Sequence, residues 1–405
     1  MQSLPHRTSP SSLIHNMSGA PVQFRIMAGS YEHNLLCLSL ILGKEPVFQP
    51  IFHFQAHSLS IKCMDIAKRY LVTGSNDEHI RIYDLQKRKE LGNLLSHQGT
   101  VTTLRFSDEK HEAGVTEKSG KWLISGSEDG KIIVWRTKDW EVFGTLKGHQ
   151  GKVNDVAIHP SGRVAISVSQ DYTVRLWNLM TAKKAAVLKI KGKIHLGQAP
   201  EKVAWSQSGE NFVVGLLSQI LVYSTSSATM IRRIKFASTL MCMQVAVIDG
   251  EEWLITGNGK GLIEFYKMSK LCEEGGSPDE QETLEAAFSL RGHSNRVKDI
   301  TVFSNPTETA GKTYLISVSS DGKIVVWDIQ EKTEVAVYDS GERLNCVSAC
   351  SESVEKSSTM KRRLTEDDEP APESEYETDG EEIKKVMKPK KKKKNQKSKV
   401  SVTLE

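Results

Sequence analysis

Apolar residues fall along this chain in short runs, separated by steps rich in Ser, Asp, Asn and Gly, and one run–turn–run unit returns four times. The copies are "LVTGSNDEHIRIYDL" from Leu71, "LISGSEDGKIIVWR" from Leu123, "AISVSQDYTVRLWNL" from Ala165 and "LISVSSDGKIVVWDI" from Leu315. Each alternates or stays apolar for five or six residues, turns at an Asp-containing step, and turns apolar again, which predicts two short strands joined by a tight turn. An aromatic follows the Asp by six positions in every copy: Asp77 to Tyr83, Asp129 to Trp135, Asp171 to Trp177 and Asp321 to Trp327.

A histidine precedes each copy, at His57, His97, His149 and His293, and opens a further strand, as in "GHQGKVNDVAI" and "GHSNRVKDITV". The uneven spacing of the first three comes mostly from "SDEKHEAGVTEKSG", Ser107 to Gly120, whose charge predicts a loop. The strands that follow these positions number seven: "SIKCMDI", "TVTTLRF", "KVNDVAI", "EKVAWSQ", "LMCMQVA", "RVKDITV" and "RLNCVSA". Two units are degraded, near "NFVVGLLSQILVYS" and "EEWLITGNGKGLIEFYK", where Asn258-Gly259 stands for the Ser-Asp step. The last strand has no successors before the periodicity stops. Three apolar runs in "FRIMAGSYEHNLLCLSL" and "QPIFHFQAH" are available at the other end. Pairing the two ends would close a ring and remove both of the sheet edges exposed there.

A His, a strand, a Ser-Asp turn and a terminal Trp-Asp recurring every 40 to 50 residues or so resembles the WD-repeat family. The resemblance implies an all-β fold, a seven-bladed β-propeller whose last blade is closed by N-terminal strands. It also implies a hydrogen-bonded network in each blade: His57, Asp77 and Tyr83; His97, Asp129 and Trp135; His149, Asp171 and Trp177; His293, Asp321 and Trp327. Tyr83 departs from the family's Trp. Aligning the seven strands puts Cys63, Cys242 and Cys346 in one column with Thr103, Asp155 and Asp299, so these cysteines read as small strand residues rather than nucleophiles.

Composition refines this picture. Six cysteines contain no CxxC pair and no accompanying His cluster, which argues against a zinc site or a secreted disulfide framework. No apolar stretch approaches the length of a membrane-spanning helix, and the start of the chain lacks the apolar core of a secretory signal. The chain therefore reads as soluble and intracellular, with residues 1–23 as a disordered leader, 24–352 as the propeller and 353–405 as a disordered, acidic-then-lysine-rich tail. The tail also accounts for an apolar share of only 38%. The net charge of +4 gives no global field, but the tail is strongly patterned. Ten acidic residues fall between Glu366 and Glu382, and ten lysines between Lys384 and Lys399. Such a segment cannot bury enough surface to fold alone.

Candidate chemistry is sparse. A Ser, a His and an Asp in each unit invite a hydrolase reading, yet an active site is one constellation and this arrangement recurs. Repetition points to buried polar groups satisfying one another. "GNGKG" at Gly257 to Gly261 lacks a GK[ST] ending and sits between strands, so it reads as a turn and not a phosphate loop. No catalytic, metal-ligating or cofactor-binding residue is expected, and no small-molecule substrate. In the tail, Lys388, Lys390, Lys391, Lys392, Lys393, Lys394 and Lys397 suit a nuclear or nucleolar address and electrostatic contact with RNA phosphates. Without interleaved aromatics, base stacking has no support. Thr365, Ser374 and Thr378, each with an acid three residues on, are candidate phosphorylation sites.

A propeller with this tail, together with "MAGSYEHNLL", "HFQAHSLSIKCMDIAKRYLVTGSNDEHIRIYDL" and "AIHPSGRVAISVSQDYTVRLWNL", resembles the PAK-interacting protein family of WD-repeat proteins. The resemblance implies a non-catalytic nucleolar scaffold in large-ribosomal-subunit assembly and pre-rRNA processing. Its partners would be ribosomal or assembly proteins, with non-specific pre-rRNA contact. It also implies negative regulation of p21-activated kinases, which leaves open the alternative of a signalling adaptor that binds and inhibits a kinase.

Overall fold

The computed structural model describes residues 22–352, except 44, 111–115, 274–281 and 305–311. Its first three strands are β1 (Val22–Ser30), β2 (Asn34–Leu42) and β3 (Val47–Gln55). Blade 1 follows as β4 (Ile61–Ala67), β5 (Tyr70–Ser75), β6 (Ile80–Asp84) and β7 (Lys89–Leu94), and blade 2 as β8 (Val101–Lys110), β9 (Thr116–Ser127), β10 (Ile132–Arg136) and β11 (Glu141–Leu146). Blade 3 comprises β12 (Val153–Ile158), β13 (Val164–Ser169), β14 (Thr173–Asn178) and β15 (Lys183–Lys189). After a short helix α1 (Gly192–His195), blade 4 is β16 (Pro200–Trp205), β17 (Asn211–Leu216), β18 (Gln219–Ser224) and β19 (Met230–Lys235). Blade 5 runs β20 (Leu240–Ile248), β21 (Glu251–Asn258) and β22 (Leu262–Lys267), then leaves the sheet through α2 (Met268–Cys272) and β23 (Glu282–Thr283) before β24 (Phe288–Arg291) completes it. Blade 6 is β25 (Val297–Ser304), β26 (Thr313–Ser319), β27 (Lys323–Asp328) and β28 (Thr333–Asp339).

The last strand, β29 (Leu344–Ser351), pairs antiparallel with β1, from Phe24 opposite Ser351 to Gly29 opposite Cys346. Blade 7 is thus β29-β1-β2-β3, built from both ends of the chain. All seven inner-strand segments expected from the alignment occupy the inner position of a blade. The seam is polar as well as apolar. Arg25 is buried and holds the Glu352 carboxylate through Nε at 3.0 Å and Nη2 at 2.6 Å, and Ser39 donates to its second oxygen at 3.1 Å. Phe24 is fully buried and stacks on Phe303 of blade 6 at 4.6 Å.

Core formation follows directly from the strand pattern. Middle strands are buried, β26 throughout and β5 beyond its first residue, because blades pack on both of their faces, whereas outer strands such as β7 and β11 are exposed or half-buried up to their last residue. The buried apolar residues divide into seven clusters, one for each junction between neighbouring blades. Trp135, Trp177 and Trp327 each sit in the cluster that joins their own blade to the one before it, and Tyr83 does the same between blades 7 and 1. The hydrophobic effect therefore acts on blade contacts, and an isolated blade would expose both of its faces.

Two features depart from the sequence reading. The described residues of the charged stretch Ser107–Gly120, 107–110 and 116–120, are strand rather than loop: β8 and β9 continue past a bulge at Phe106/Asp108, with Asp108 opposite Lys118. Its charges are used across strands and between blades, the Lys118 ammonium contacting Asp65 of β4. The excursion after β22 adds β23 to blade 4 as a fifth, parallel strand, through Ile234 opposite Glu282. Arg232 pairs with Glu282 at 3.0 Å there, and the otherwise open edge of β19 is covered.

Ring closure makes a specific prediction. Removing residues 1–21 should leave the melting temperature unchanged within about 2 °C, while removing residues 1–39 should abolish the cooperative transition and promote aggregation. Thermal melts with light scattering compare the two truncations, and equal melting would overturn the two-ended blade.

Candidate functional site

Three blades carry the same four-membered polar chain, and a fourth carries most of it. In blade 2 the Trp135 indole N–H donates to Ser125 Oγ at 2.8 Å, Ser125 lies 2.8 Å from His97 Nε2, and His97 Nδ1 lies 3.4 Å from Asp129. Blade 3 repeats it with Trp177, Ser167, His149 and Asp171 at 2.7, 2.7 and 3.0 Å. Blade 6 repeats it with Trp327, Ser317, His293 and Asp321 at 2.9, 2.8 and 3.2 Å. The direction of every bond follows from the carboxylate, which can only accept, and from the neutrality of the buried imidazole. Nδ1 carries the ring proton toward the aspartate, so Nε2 accepts from the serine hydroxyl, whose oxygen in turn accepts the indole N–H.

Blade 1 keeps three members: His57 Nε2 lies 2.8 Å from Thr73 Oγ1 and Nδ1 lies 3.0 Å from Asp77. The Tyr83 hydroxyl is buried near Thr73 and Arg81 without meeting hydrogen-bond geometry, so the fourth link is missing. Blades 4 and 5 use other groups. Gln219 accepts from Arg233 at 2.7 Å and donates to the Ile194 carbonyl at 2.6 Å, and Asn258 accepts from the backbone of Lys260 and Leu262 at 3.0 Å each.

The aspartates tie two loops together. Asp129 accepts the N–H of Gln98 from the incoming loop at 3.1 Å and that of Lys131 from its own turn at 2.8 Å, and Asp321 does the same with Ser294 and Lys323 at 3.0 Å each. The turn ends in a left-handed residue, Gly130 at φ 75° and Gly322 at φ 85°, which glycine adopts without steric cost. Burial opposes ionisation of Asp129, but the Lys131 and Gln98 N–H donors and His97 outweigh it and hold the carboxyl below its usual range. Asp171 is held down at about 2: burial is again opposed, here by Thr173, Gln150 and His149. Burial lowers the pKa of His57, His97, His149 and His293, with the aspartates pulling the other way.

The order Asp–His–Ser is that of a hydrolytic triad, and the packing excludes its use. Ser125, Ser167 and Ser317 are fully buried, and each hydroxyl is already engaged by a tryptophan and a histidine. No carbonyl carbon can approach. The cysteines are similarly withdrawn. Cys63, Cys242 and Cys346 are buried, burial pushes their thiols far up, and each faces a glycine across the strand, Gly74, Gly257 and Gly29. Among the described residues no group of His, Cys, Asp and Glu is placed to hold a metal.

The inner strands enclose a central channel containing a cavity of about 240 Å³. Carboxylates staple successive strands around it: Asp65 accepts from Phe106 N at 2.7 Å, Asp155 from Val203 N at 3.2 Å and Asp299 from Val347 N at 3.0 Å. Arg105 lies among these carboxylates, 3.9 Å from Asp155. The structure thus brings together every expected blade residue except the Tyr83 hydroxyl. Lys388, Lys390–Lys394, Lys397, Thr365, Ser374 and Thr378 lie outside the described residues. Sequence reading counted a serine in each unit without locating it; a constant spacing of ten residues before the aromatic marks Ser125, Ser167, Ser317 and Thr73. It assigned no role to Asp155 and Asp299.

The chain matches the WD domain, G-beta repeat family at residues 48–84, 88–136, 140–178 and 285–328. It is 51% identical over 413 residues to the protein MAK11 of Saccharomyces cerevisiae, covering 95% of this chain and 98% of that one. It is 33% identical to the p21-activated protein kinase-interacting protein 1-like of Gallus gallus, covering 75% of this chain and 72% of the relative, and 33% identical to that of Xenopus laevis, covering 80% and 81%.

The networks predict two behaviours. Asp129→Ala or Asp321→Ala should each cost about 1–3 kcal/mol, because buried donors lose their acceptor. Denaturant unfolding checks this, and a change within about 0.5 kcal/mol would overturn it. The four histidines, neutral when folded, bind protons more readily in the unfolded chain. Stability should therefore fall as pH drops below about 6.5, and fall further below about 4 as the aspartates, held low when folded, are protonated. Urea midpoints between pH 7.5 and 5.5 measure the first decrease, and a flat profile would contradict it.

Proposed function

The chain belongs to the WD-repeat family that includes MAK11 and the p21-activated kinase-interacting proteins, and on that premise we propose that it is a non-catalytic nucleolar assembly factor. In this reading the propeller holds ribosomal or assembly proteins during maturation of the large ribosomal subunit, and the lysine-rich tail grips pre-rRNA. The supporting observation is how the polar groups are spent. The repeated histidines, serines and aspartates are consumed in holding the blades, which leaves loops and channel mouths as the working surfaces. The run Lys390–Lys394 concentrates charge suited to phosphates of any sequence.

A second reading is a signalling adaptor that occludes a protein kinase, favoured by the names of relatives such as the p21-activated protein kinase-interacting proteins. Affinity purification of the full chain and of a truncation ending before Lys384 separates the two. Ribosomal proteins and pre-rRNA with the full chain, and loss of RNA with the truncation, would support assembly. A co-purified kinase without RNA would support the adaptor.

Changing Lys390–Lys394 to Gln should weaken RNA binding for all sequences alike and flatten its salt dependence. On single strands the log–log slope should fall by roughly 0.7 for each phosphate that the tail no longer neutralises. The melting temperature and propeller-bound proteins should be unaffected. Filter binding across salt concentrations and imaging of a tagged chain measure both effects. If salt slope and nucleolar position are retained, the tail has neither role.

A further inference from the structure

The blade turns and the loops carrying the network histidines share one face, and there the inner strands begin with a bulge. The residue skipped by strand pairing is Lys62 in β4, Thr102 in β8, Asn154 in β12, Glu201 in β16, Met241 in β20, Lys298 in β25 and Asn345 in β29. Three of these reach across to the next blade: Thr102 donates to the Val153 carbonyl at 2.7 Å, Asn154 to Pro200 at 2.7 Å and Asn345 to Ile61 at 2.9 Å. The two lysines do not. Beside Lys298, between blades 6 and 7, a cavity of about 500 Å³ is lined by Tyr31, Asn295, Arg296, Arg343 and Asn345.

Lys298 is half-buried, and its pKa is lowered by that burial and then by Arg296, Lys62 and Lys202, all cations. Among the described residues none of Lys62, Lys202, Arg296, Lys298 and Arg343 makes a side-chain ion pair. The nearby carboxylates bond to other groups. Glu342 pairs with His53 at 3.0 Å and accepts from Asn34 at 2.8 Å, Asp321 is held by His293, and Glu32 accepts the Arg343 backbone N–H at 3.1 Å rather than pairing with its guanidinium. Across the channel Glu201 lies near Lys152 and Lys202. Gathering cations that make no ion pair around a half-buried lysine costs stability, so a ligand that supplies negative charge would relieve it.

The same face exposes apolar side chains: Tyr31, Leu59, Leu95, Leu196 and Leu217. A nucleic acid strand would call for a long cationic track with stacking aromatics, whereas one cationic pocket beside an exposed tyrosine, on a face that also exposes leucines, matches a polypeptide. We propose that this channel mouth is a docking seat for an acidic segment of a partner protein. Carboxylates of that segment enter between Arg296, Lys298 and Arg343, and an apolar residue of it rests on Tyr31 at the cavity wall. The proposal rests on the scaffold reading above and names the face and the partner chemistry.

The test uses the full chain carrying Lys390–Lys394→Gln, so that the tail does not compete, with and without R296E/K298E. The probes are a fluorescent peptide of mixed glutamate and leucine and an oligouridylate of equal length, followed by anisotropy. The charge reversal should weaken the peptide by at least about tenfold and leave the oligouridylate unchanged. K298M, which removes a cation from among cations, should raise the melting temperature while weakening the peptide. Unchanged peptide affinity would overturn the proposal. So would a loss shared equally by the oligouridylate, which would make the mouth a nucleic-acid site, or a lower melting temperature for K298M, which would make Lys298 a structural partner. If ribosomal proteins still co-purify with R296E/K298E while peptide affinity is unchanged, only the seat falls. If none co-purify with the unaltered chain, the scaffold reading falls.

Discussion

Everything in this molecule depends on the pairing of β29 with β1. Each blade buries apolar surface only against its two neighbours, so an open array of seven would leave two unsatisfied faces as well as two bare strand edges. The seam removes all of these at once, and it is made specific by a buried charge pair. Arg25 has no water to return to, and two of its guanidinium nitrogens, Nε and Nη2, donate to one oxygen of the Glu352 carboxylate. A shifted register would leave that guanidinium unpaired in the core, so the ion pair disfavours misalignment more than it adds net stability. The channel and its charged mouth exist only because the ring is closed.

The blade networks show how one set of side chains serves opposite ends in different settings. The Asp–His–Ser order that activates a nucleophile elsewhere is here sealed by an indole N–H on the serine and by complete burial. What remains is a rigid tie between an incoming loop and a turn, repeated around one face. Rigid loops cost little entropy to bind with. A face organised in this way suits recognition, and the residues available for it are those that the networks leave unused.

Local periodicity made much of this fold legible. The six-residue step from Asp to the aromatic, the histidine ahead of it and the seven inner strands are short-range patterns, and two strands with their turn fit within fifteen residues. Ring closure was also legible, because a surplus strand at one end and three at the other left few alternatives. The failures were long-range. Charge made Ser107–Gly120 look like a loop, since pairing between Asp108 and Lys118 and the contact with Asp65 cannot be read along one segment. The fifth strand of blade 4 comes from an excursion in blade 5, with no signal in either segment alone. The roles of Asp155 and Asp299 went unread because their carboxylates accept from the neighbouring blade. The mouth cations stayed hidden for the same reason: Lys62, Lys202 and Lys298 are far apart in sequence and meet only around the channel.

The two-ended blade also orders events in time. Arg25 and Glu352 are separated by 327 residues, and β1 is among the first strands to leave the ribosome while β29 is the last. At roughly 5–20 residues per second, synthesis of the intervening chain takes on the order of 15–65 s. Throughout that interval β1, β2 and β3 are a sheet with no inner neighbour, and the six complete blades between them and the seam form an arc that cannot shut. The newborn chain thus presents an apolar strand edge for far longer than a hairpin needs to form. Its vulnerability to mispairing, and its need for protection by chaperones, is greatest before the final strand is made.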